Sequence, residues 1–404
     1  MTHIFLNGLG ASAGAGLTYL YNVVPRLGSA PGVHTTLAVQ PQLRPEFEEL
    51  PNVTVLKTAV PVGAIRRFWF EQRELPKLIR DSGADVLLSA GNIAVRNSPV
   101  PQILLSGNSL YTSAAFSRDL WQRGEYRMWL DTKLKGHFAK KSVHWADCTV
   151  APSQAFADDL GRWTGREVMA IHHGFDARVF FGDNSPLPPE VNDKLCSTDD
   201  CLRLLFVSHY NYYRNFETVF RAVALLRERM PNRKVRLFLT CTLDDKMTPG
   251  AYKTGSAARL IRELGIREEV VELGAVPYHQ LHRVYRACDI YVTAAYTETF
   301  AHPLVEATAC GLPIVASGLP VHREICPQAL YFDCFSAEQL SQRLFLAAEN
   351  RVTGNRKKEL LQPSFSWADH GRQLLEIAAR LSGHERTAEF PGSRSLETHS
   401  RAAS

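Results

Sequence analysis

The chain has 404 residues, 45% of them hydrophobic and 22% charged, enough to bury the cores of two ordinary domains and too much for a single small module. Its net charge of +5 sits entirely in residues 1–150, which hold 16 Lys+Arg against 11 Asp+Glu and leave 30 against 30 for the remainder. No run approaches the roughly 20 apolar residues that span a bilayer. The opening Met1-Thr-His-Ile-Phe-Leu lacks a basic segment followed by a long apolar one, so the expected location is cytoplasmic. Eight cysteines without a Cys-x-x-Cys pair or a histidine cluster point to reduced, packed thiols and to no metal.

Apolar strand-like runs alternate with helical stretches from end to end, the pattern of an α/β protein with parallel sheets. In the first half the strands read 3–6, 35–39, 53–56, 86–89, 102–105, 148–151 and 168–171. In the second they read 203–208, 235–240, 270–273, 290–293, 314–316 and 329–332. Gly182 to Asp200, opening Gly-Asp-Asn-Ser-Pro-Leu-Pro-Pro, reads as a turn-rich connection. A helix is expected at 367–381, and from Gly383 hydrophobic periodicity is lost, which predicts a disordered tail. The expected division is therefore 1–178, a linker at 179–200, 201–365, a helix at 366–382 and the tail 383–404.

Along this frame, the first strand runs into Asn7-Gly-Leu-Gly-Ala-Ser-Ala-Gly-Ala-Gly16, a loop whose glycines free backbone amides for a phosphate or sugar. Its spacing is not that of a dinucleotide fingerprint, and Gly14 and Gly16 are the candidate contacts. Two segments are aromatic and basic. They are 65–73 and 111–145, the latter with seven basic and three acidic residues among Phe116, Trp121, Tyr126, Trp129, Phe138 and Trp145. Two readings stay open for them: amphipathic helices with their aromatics in the core, or a face for peripheral contact with anionic lipid. No nucleic-acid signature accompanies the charge.

The most informative run is Glu298-Thr-Phe-Ala-His-Pro-Leu-Val-Glu306, continued as Ala-Thr-Ala-Cys-Gly-Leu-Pro-Ile-Val-Ala-Ser317. Pro303 favours a helix start, whose unpaired amides at about 299–304 would face an anion. Glu306, one turn in, suits a vicinal diol, and Glu298 can reach another part of the same ligand. The run resembles the family-4 retaining glycosyltransferases (glycosyltransferase group 1) of GT-B fold, with the pattern E-x-F-G-x-P-x-x-E-A-x-A-x-G-x-P-V-V-A-S. Val207-Ser-His-Tyr-Asn-Tyr-Tyr-Arg-Asn215 is similar to the family's V-G-R-x-x-x-x-K-N/G.

The resemblance implies two Rossmann-like domains facing across a cleft, with the terminal helix crossing back to the first. It implies transfer of a hexose from a UDP- or GDP-linked sugar to a hydroxyl of a glycan or lipid-linked acceptor, in cell-envelope or exopolysaccharide synthesis. The roles it implies are Glu298 on donor hydroxyls, Arg214 and His209 on the diphosphate, Glu306 on the ribose, and the backbone around Thr299, Phe300, Ala301, Leu304 and Val276 on phosphate and base. No cofactor or metal is implied. Gly174 and Asp176, in a run like the family's H-N-G-x-D, read as structural at the domain junction.

Three departures stand out. Asn108 replaces a histidine beside the donor sugar and cannot shuttle a proton. His209 replaces a permanent cation, and Thr299 and Ala301 replace two glycines. They keep open a second reading, a donor-binding GT-B module without turnover.

Overall fold

The computed structural model describes residues 1–11, 15–61, 63–196, 201–246, 252–353 and 365–383. The first half forms a seven-stranded parallel sheet. Its strands are β1 (Thr2–Asn7), β2 (Val33–Ala38), β3 (Val53–Val55), β4 (Val86–Ala90), β5 (Gln102–Leu105), β6 (Cys148–Ala151) and β7 (Met169–Ala170), in the order β3-β2-β1-β4-β5-β6-β7. The second half forms a six-stranded parallel sheet of β8 (Cys201–Phe206), β9 (Lys234–Leu239), β10 (Val270–Glu272), β11 (Ile290–Thr293), β12 (Ile314–Ser317) and β13 (Leu330–Phe332), in the order β10-β9-β8-β11-β12-β13. These are the thirteen strands expected from the alternation, shifted by a residue or two at their ends. They read as unbroken apolar runs because helices cover both faces: Phe5, Leu6, Leu204, Leu205 and Val292 are all at most 1% exposed.

In both sheets the order reverses beside the first strand, between β1 and β4 and between β8 and β11. Ligands of open α/β sheets bind at such a reversal, beyond the carboxyl ends of the strands. Glycines make room there in the first sheet, where a Cβ on Gly10 would lie 3.6 Å from the Cα of Gly91.

Helix Trp367–Leu381 returns to the first sheet. Trp367, Leu374, Ile377 and Ala378 share a core with β1 and helix Ala15–Gly28, and the Ser366 hydroxyl caps the helix by accepting from the amides of Ala368 and Asp369. Its entry lies so close to the 171–176 segment that a Cβ on Gly174 would come within 2.0 Å of the Trp367 nitrogen. Only glycine fits at that crossing. Asp176 caps helix Ala177–Phe181 and pairs with Arg26 at 3.3 Å, tying the crossing to the first domain.

The stretch expected to be turn-rich between the halves is partly helical. Pro189 opens helix Pro189–Cys196, and Val191 and Leu195, one turn apart, pack beside Phe180 and Leu281. Three prolines and a glycine in 182–189 concealed that spacing. The expected tail lies outside the described residues from 384 on. None of the eight cysteines is in a disulfide, and five of them are buried. Among the described residues no helix is long and apolar enough to cross a membrane.

Candidate active site

Beyond the ends of β8 and β11, two motifs meet that are 84 residues apart in sequence. Arg214 ends a short turn, Tyr212–Arg214, held by the Asn211 side chain, whose oxygen accepts the Arg214 amide at 3.1 Å. Asn215, at φ 57, then turns the chain into helix Phe216–Arg229. Placed this way, the Arg214 guanidinium reaches across the reversal and its Nη1 pairs with Glu298 Oε2. Both side chains are largely buried, at 16% and 12% exposure. The carboxylate raises the Arg214 pKa against the opposing effect of burial, so the cation is permanent. Its buried Nε has no hydrogen-bond partner among the described residues.

The predicted helix start is at His302, with Pro303 in the first turn, and the helix runs His302–Ala309. Ala301 caps it in the left-handed region, φ 62 and ψ 59, a conformation that costs a non-glycine residue about 1–2 kcal/mol. The expected row of free amides at 299–304 is shorter than predicted. Thr299 N–H folds back onto Glu298 Oε1 at 3.1 Å, Leu304 N–H bonds the Ala301 carbonyl at 2.9 Å, and Pro303 has none. Among the described residues the amides of Phe300, Ala301 and His302 have no such partner. The side chains of Phe300 and Leu304 are core, 1% and 0% exposed, so Leu304 offers neither side chain nor amide to a ligand.

Glu306 is 4% exposed, and its Oε2 accepts the Tyr285 hydroxyl at 2.8 Å. Burial pushes its pKa up to about 7, with the tyrosine hydrogen bond acting the other way. The remaining predicted residues scatter around this centre. His209 is exposed at the end of β8, and Val276 is half-buried on the C-terminal core. Asn108 follows β5 and uses its Oδ1 to accept the Leu110 amide at 3.1 Å, which fixes a turn. Gly16 packs against Ala11 at the start of helix Ala15–Gly28, and Gly14 lies outside the described residues.

Sequence reasoning missed a half-buried imidazole stack at the start of helix His302–Ala309. His173 Nδ1 is 3.3 Å from His302 Nε2, their rings stack with centroids 5.4 Å apart, and His370 Nε2 lies 3.1 Å from the Tyr19 hydroxyl. Burial lowers His302 and His370 to about 4 and His173 well below its ordinary value, so the stack is neutral. Its members come from four separate segments, and only the His172-His173 doublet left a local signal. Tyr285, equally missed, sits on an ordinary amphipathic helix 21 residues before its partner.

The two halves are bridged on both flanks of the cleft. On one, the Ser153 hydroxyl donates to the Thr299 carbonyl at 2.7 Å. Beside it Glu324 accepts the amides of Gln154 (2.8 Å) and Ala155 (2.7 Å) and meets His172 Nε2 at 2.5 Å. On the other, Arg123 pairs with Glu217 at 2.8 Å and Tyr296 donates to Asp119 at 2.7 Å.

Residues 192–359 match the family described as glycosyl transferases group 1. The match takes in the second sheet and covers less than half of the chain. Among curated relatives, the D-inositol 3-phosphate glycosyltransferase of Stackebrandtia nassauensis is 33% identical over 162 residues, 40% of this chain and 35% of the relative. That of Corynebacterium efficiens is 36% identical over 195 residues, 46% and 44% of the two chains. The matched stretches thus span well under two thirds of these glycosyltransferases.

Among solved structures, the Anabaena protein HepE in complex with UDP-glucose superposes with a TM-score of 0.67 at 15% identity, covering 94% of this chain and all of that one. Sucrose-phosphate synthase from Thermosynechococcus elongatus gives 0.66 at 18% identity, covering 95% and 100%. These likenesses extend over both sheets, and the fold is GT-B. Among the described residues no group of three or more His, Cys, Asp or Glu is placed to hold a metal ion.

Proposed function

We propose that the protein is a retaining glycosyltransferase of family 4 that moves a hexose from a nucleotide diphosphate sugar, UDP- or GDP-linked, to a hydroxyl of a glycan or lipid-linked acceptor. The observation that carries this reading is the meeting of Arg214 and Glu298 just before the helix start at His302, with Glu306 one turn into that helix. Arg214 spends one N–H on Glu298 and has further donors for phosphate oxygens.

Charge develops on the departing oxygen as the glycosidic bond breaks. Arg214 and the amides of Phe300, Ala301 and His302 stabilise it, each charged hydrogen bond contributing about 1.5–3 kcal/mol. The neutral His302 adds no charge there. Glu298 accepts from hydroxyls of the donor sugar, Glu306 from the ribose diol, and the departing phosphate oxygen takes the acceptor proton. His209 is a second, exposed contact to the diphosphate, the glycine loop at Gly16 contacts the donor, and Asn108 hydrogen-bonds a hydroxyl of the donor sugar. Val276 borders the base. The mechanism calls for no metal and no cofactor, and the work is cytoplasmic, in cell-envelope or exopolysaccharide synthesis.

Support for the donor class comes from the group 1 domain match and from the UDP-glucose complex of HepE, a protein of the same fold. A thermal-shift series with UDP, GDP and ADP, followed by donor hydrolysis, tests the reading. A nucleotide at about 100 times its Kd adds about 2.7 kcal/mol. No shift with any of the three removes it. One observation favours the alternative of donor binding without turnover: the Asn108 oxygen, where the resemblance expects a histidine, is already engaged by Leu110. Tight binding with neither hydrolysis nor transfer decides for that alternative.

A further inference from the structure

We infer that helices Ala64–Arg73, Ala114–Gln122 and Tyr126–Trp145 form one face that docks on an anionic lipid bilayer. Helix 64–73 is inverted relative to a soluble helix. Its glutamate, Glu71, is 7% exposed, with burial raising its pKa to about 7, while Ile65 and Trp69, one turn apart, are 75% and 51% exposed. Arg73, a further turn on, lies 4.7 Å over the Trp69 ring. Phe68 packs on Phe138 with centroids 5.1 Å apart, which joins this helix to 126–145.

That second helix continues the apolar surface. Tyr126, Leu130 and Leu134 recur every four residues at 55%, 63% and 57% exposure, and Trp121, 55% exposed, packs edge-on to Tyr126. A soluble helix would place polar groups at those positions.

Charge selects the partner. Arg66, Arg127, Lys133, Lys140 and Lys141 are exposed around these side chains. Of the acidic groups there, Asp131 is held by Lys135 at 2.6 Å. Large apolar side chains set among uncompensated cations suit the headgroup region of an anionic leaflet, where rings sit at the interface and lysines meet lipid phosphate. Between the helices, a cavity of about 250 Å³ is lined by Trp129, Lys133, His137, Lys140 and Trp163, with Lys133 5.8 Å over Trp129 and Lys140 5.6 Å over Trp163. It suits a phosphate headgroup. The same cavity reaches Tyr111 and Ser113, a few residues beyond Asn108, so the face adjoins the acceptor side of the cleft. Docking depends on no step of the transfer reading.

The test is flotation of the full chain with vesicles of phosphatidylcholine alone, or with about one third phosphatidylglycerol, at low and high salt. The expected result is at least tenfold stronger partition onto the anionic vesicles, weakened by salt. Leu130→Glu with Leu134→Glu abolishes it, and Lys133→Glu with Lys141→Glu reduces it by about fivefold or more per charge. Thermal melting of both variants, unchanged with and without UDP, shows that they remain folded; should the leucine variant unfold, the lysine variant alone decides. Equal partition onto both vesicle types, no partition, or wild-type binding by the variants overturns the proposal. So does self-association without lipid that the leucine changes abolish, which identifies a second copy as the occupant.

Discussion

At the ends of β8 and β11, Arg214, Glu298 and Glu306 are all largely buried, and each has a named partner or a neighbouring donor. Helices 64–73 and 126–145 do the opposite, keeping Glu71 inside and leaving Ile65, Trp69, Leu130 and Leu134 in water. The same chain thus covers its charges in one domain and uncovers its apolar groups in the other. Burial strengthens electrostatics where charge must be stabilised, and exposure is retained where a second surface remains to be met.

Four changes probe this contrast, beginning with the largest expected effect. Arg214→Ala leaves Glu298 without its cation and lowers stability by about 3 kcal/mol, with turnover falling about 10–150-fold. Adding Glu298→Gln recovers stability in denaturant titrations but not turnover. Recovery of both would make the pair structural. Gly174→Ala drives a Cβ into the Trp367 nitrogen and costs about 1–3 kcal/mol by melting, without altering nucleotide affinity relative to the folded fraction.

Glu306→Ala weakens nucleotide binding by about tenfold, roughly one charged hydrogen bond, and a Kd unchanged within about twofold removes its ribose role. Its pH dependence has a definite sign. A carboxyl raised to about 7 is ionised only above that, so nucleotide affinity rises between pH 6 and 8, and the rise disappears in Glu306→Gln. Because the folded state holds a proton that the unfolded chain releases, the same group lowers stability as pH climbs from the ordinary carboxyl value toward 7. The smallest effect is Ala301→Gly, which relieves φ 62 and raises stability by about 1 kcal/mol in a melt.

Much of the C-terminal site was readable beforehand because its determinants are local. Pro303 sets the helix start, Glu306 follows it by a turn, and both sheets announce themselves as buried apolar runs. What escaped depends on exact backbone geometry or on long-range packing. Thr299 and Leu304 lose their amides to neighbours in a geometry that no spacing specifies. Tyr285 and the His173–His302 stack are assembled from distant segments. Helix 189–196 was hidden because its two apolar contacts lie among prolines. The basic aromatic stretches left two readings open, because spacing alone does not say which of their apolar side chains stay in water.

The crossings between the halves have a mechanical consequence. The chain passes from the first domain to the second near Gly174 and returns at Phe365, and there the Phe175 amide donates to the Phe365 carbonyl at 3.1 Å. Two chain segments joined side by side define an axle. Relative movement of the domains is then a rotation about that line, small at the nearby His173 stack and largest at the far flank, where Arg123 holds Glu217. An ion pair away from the crossing resists such a rotation with more leverage than a contact beside it.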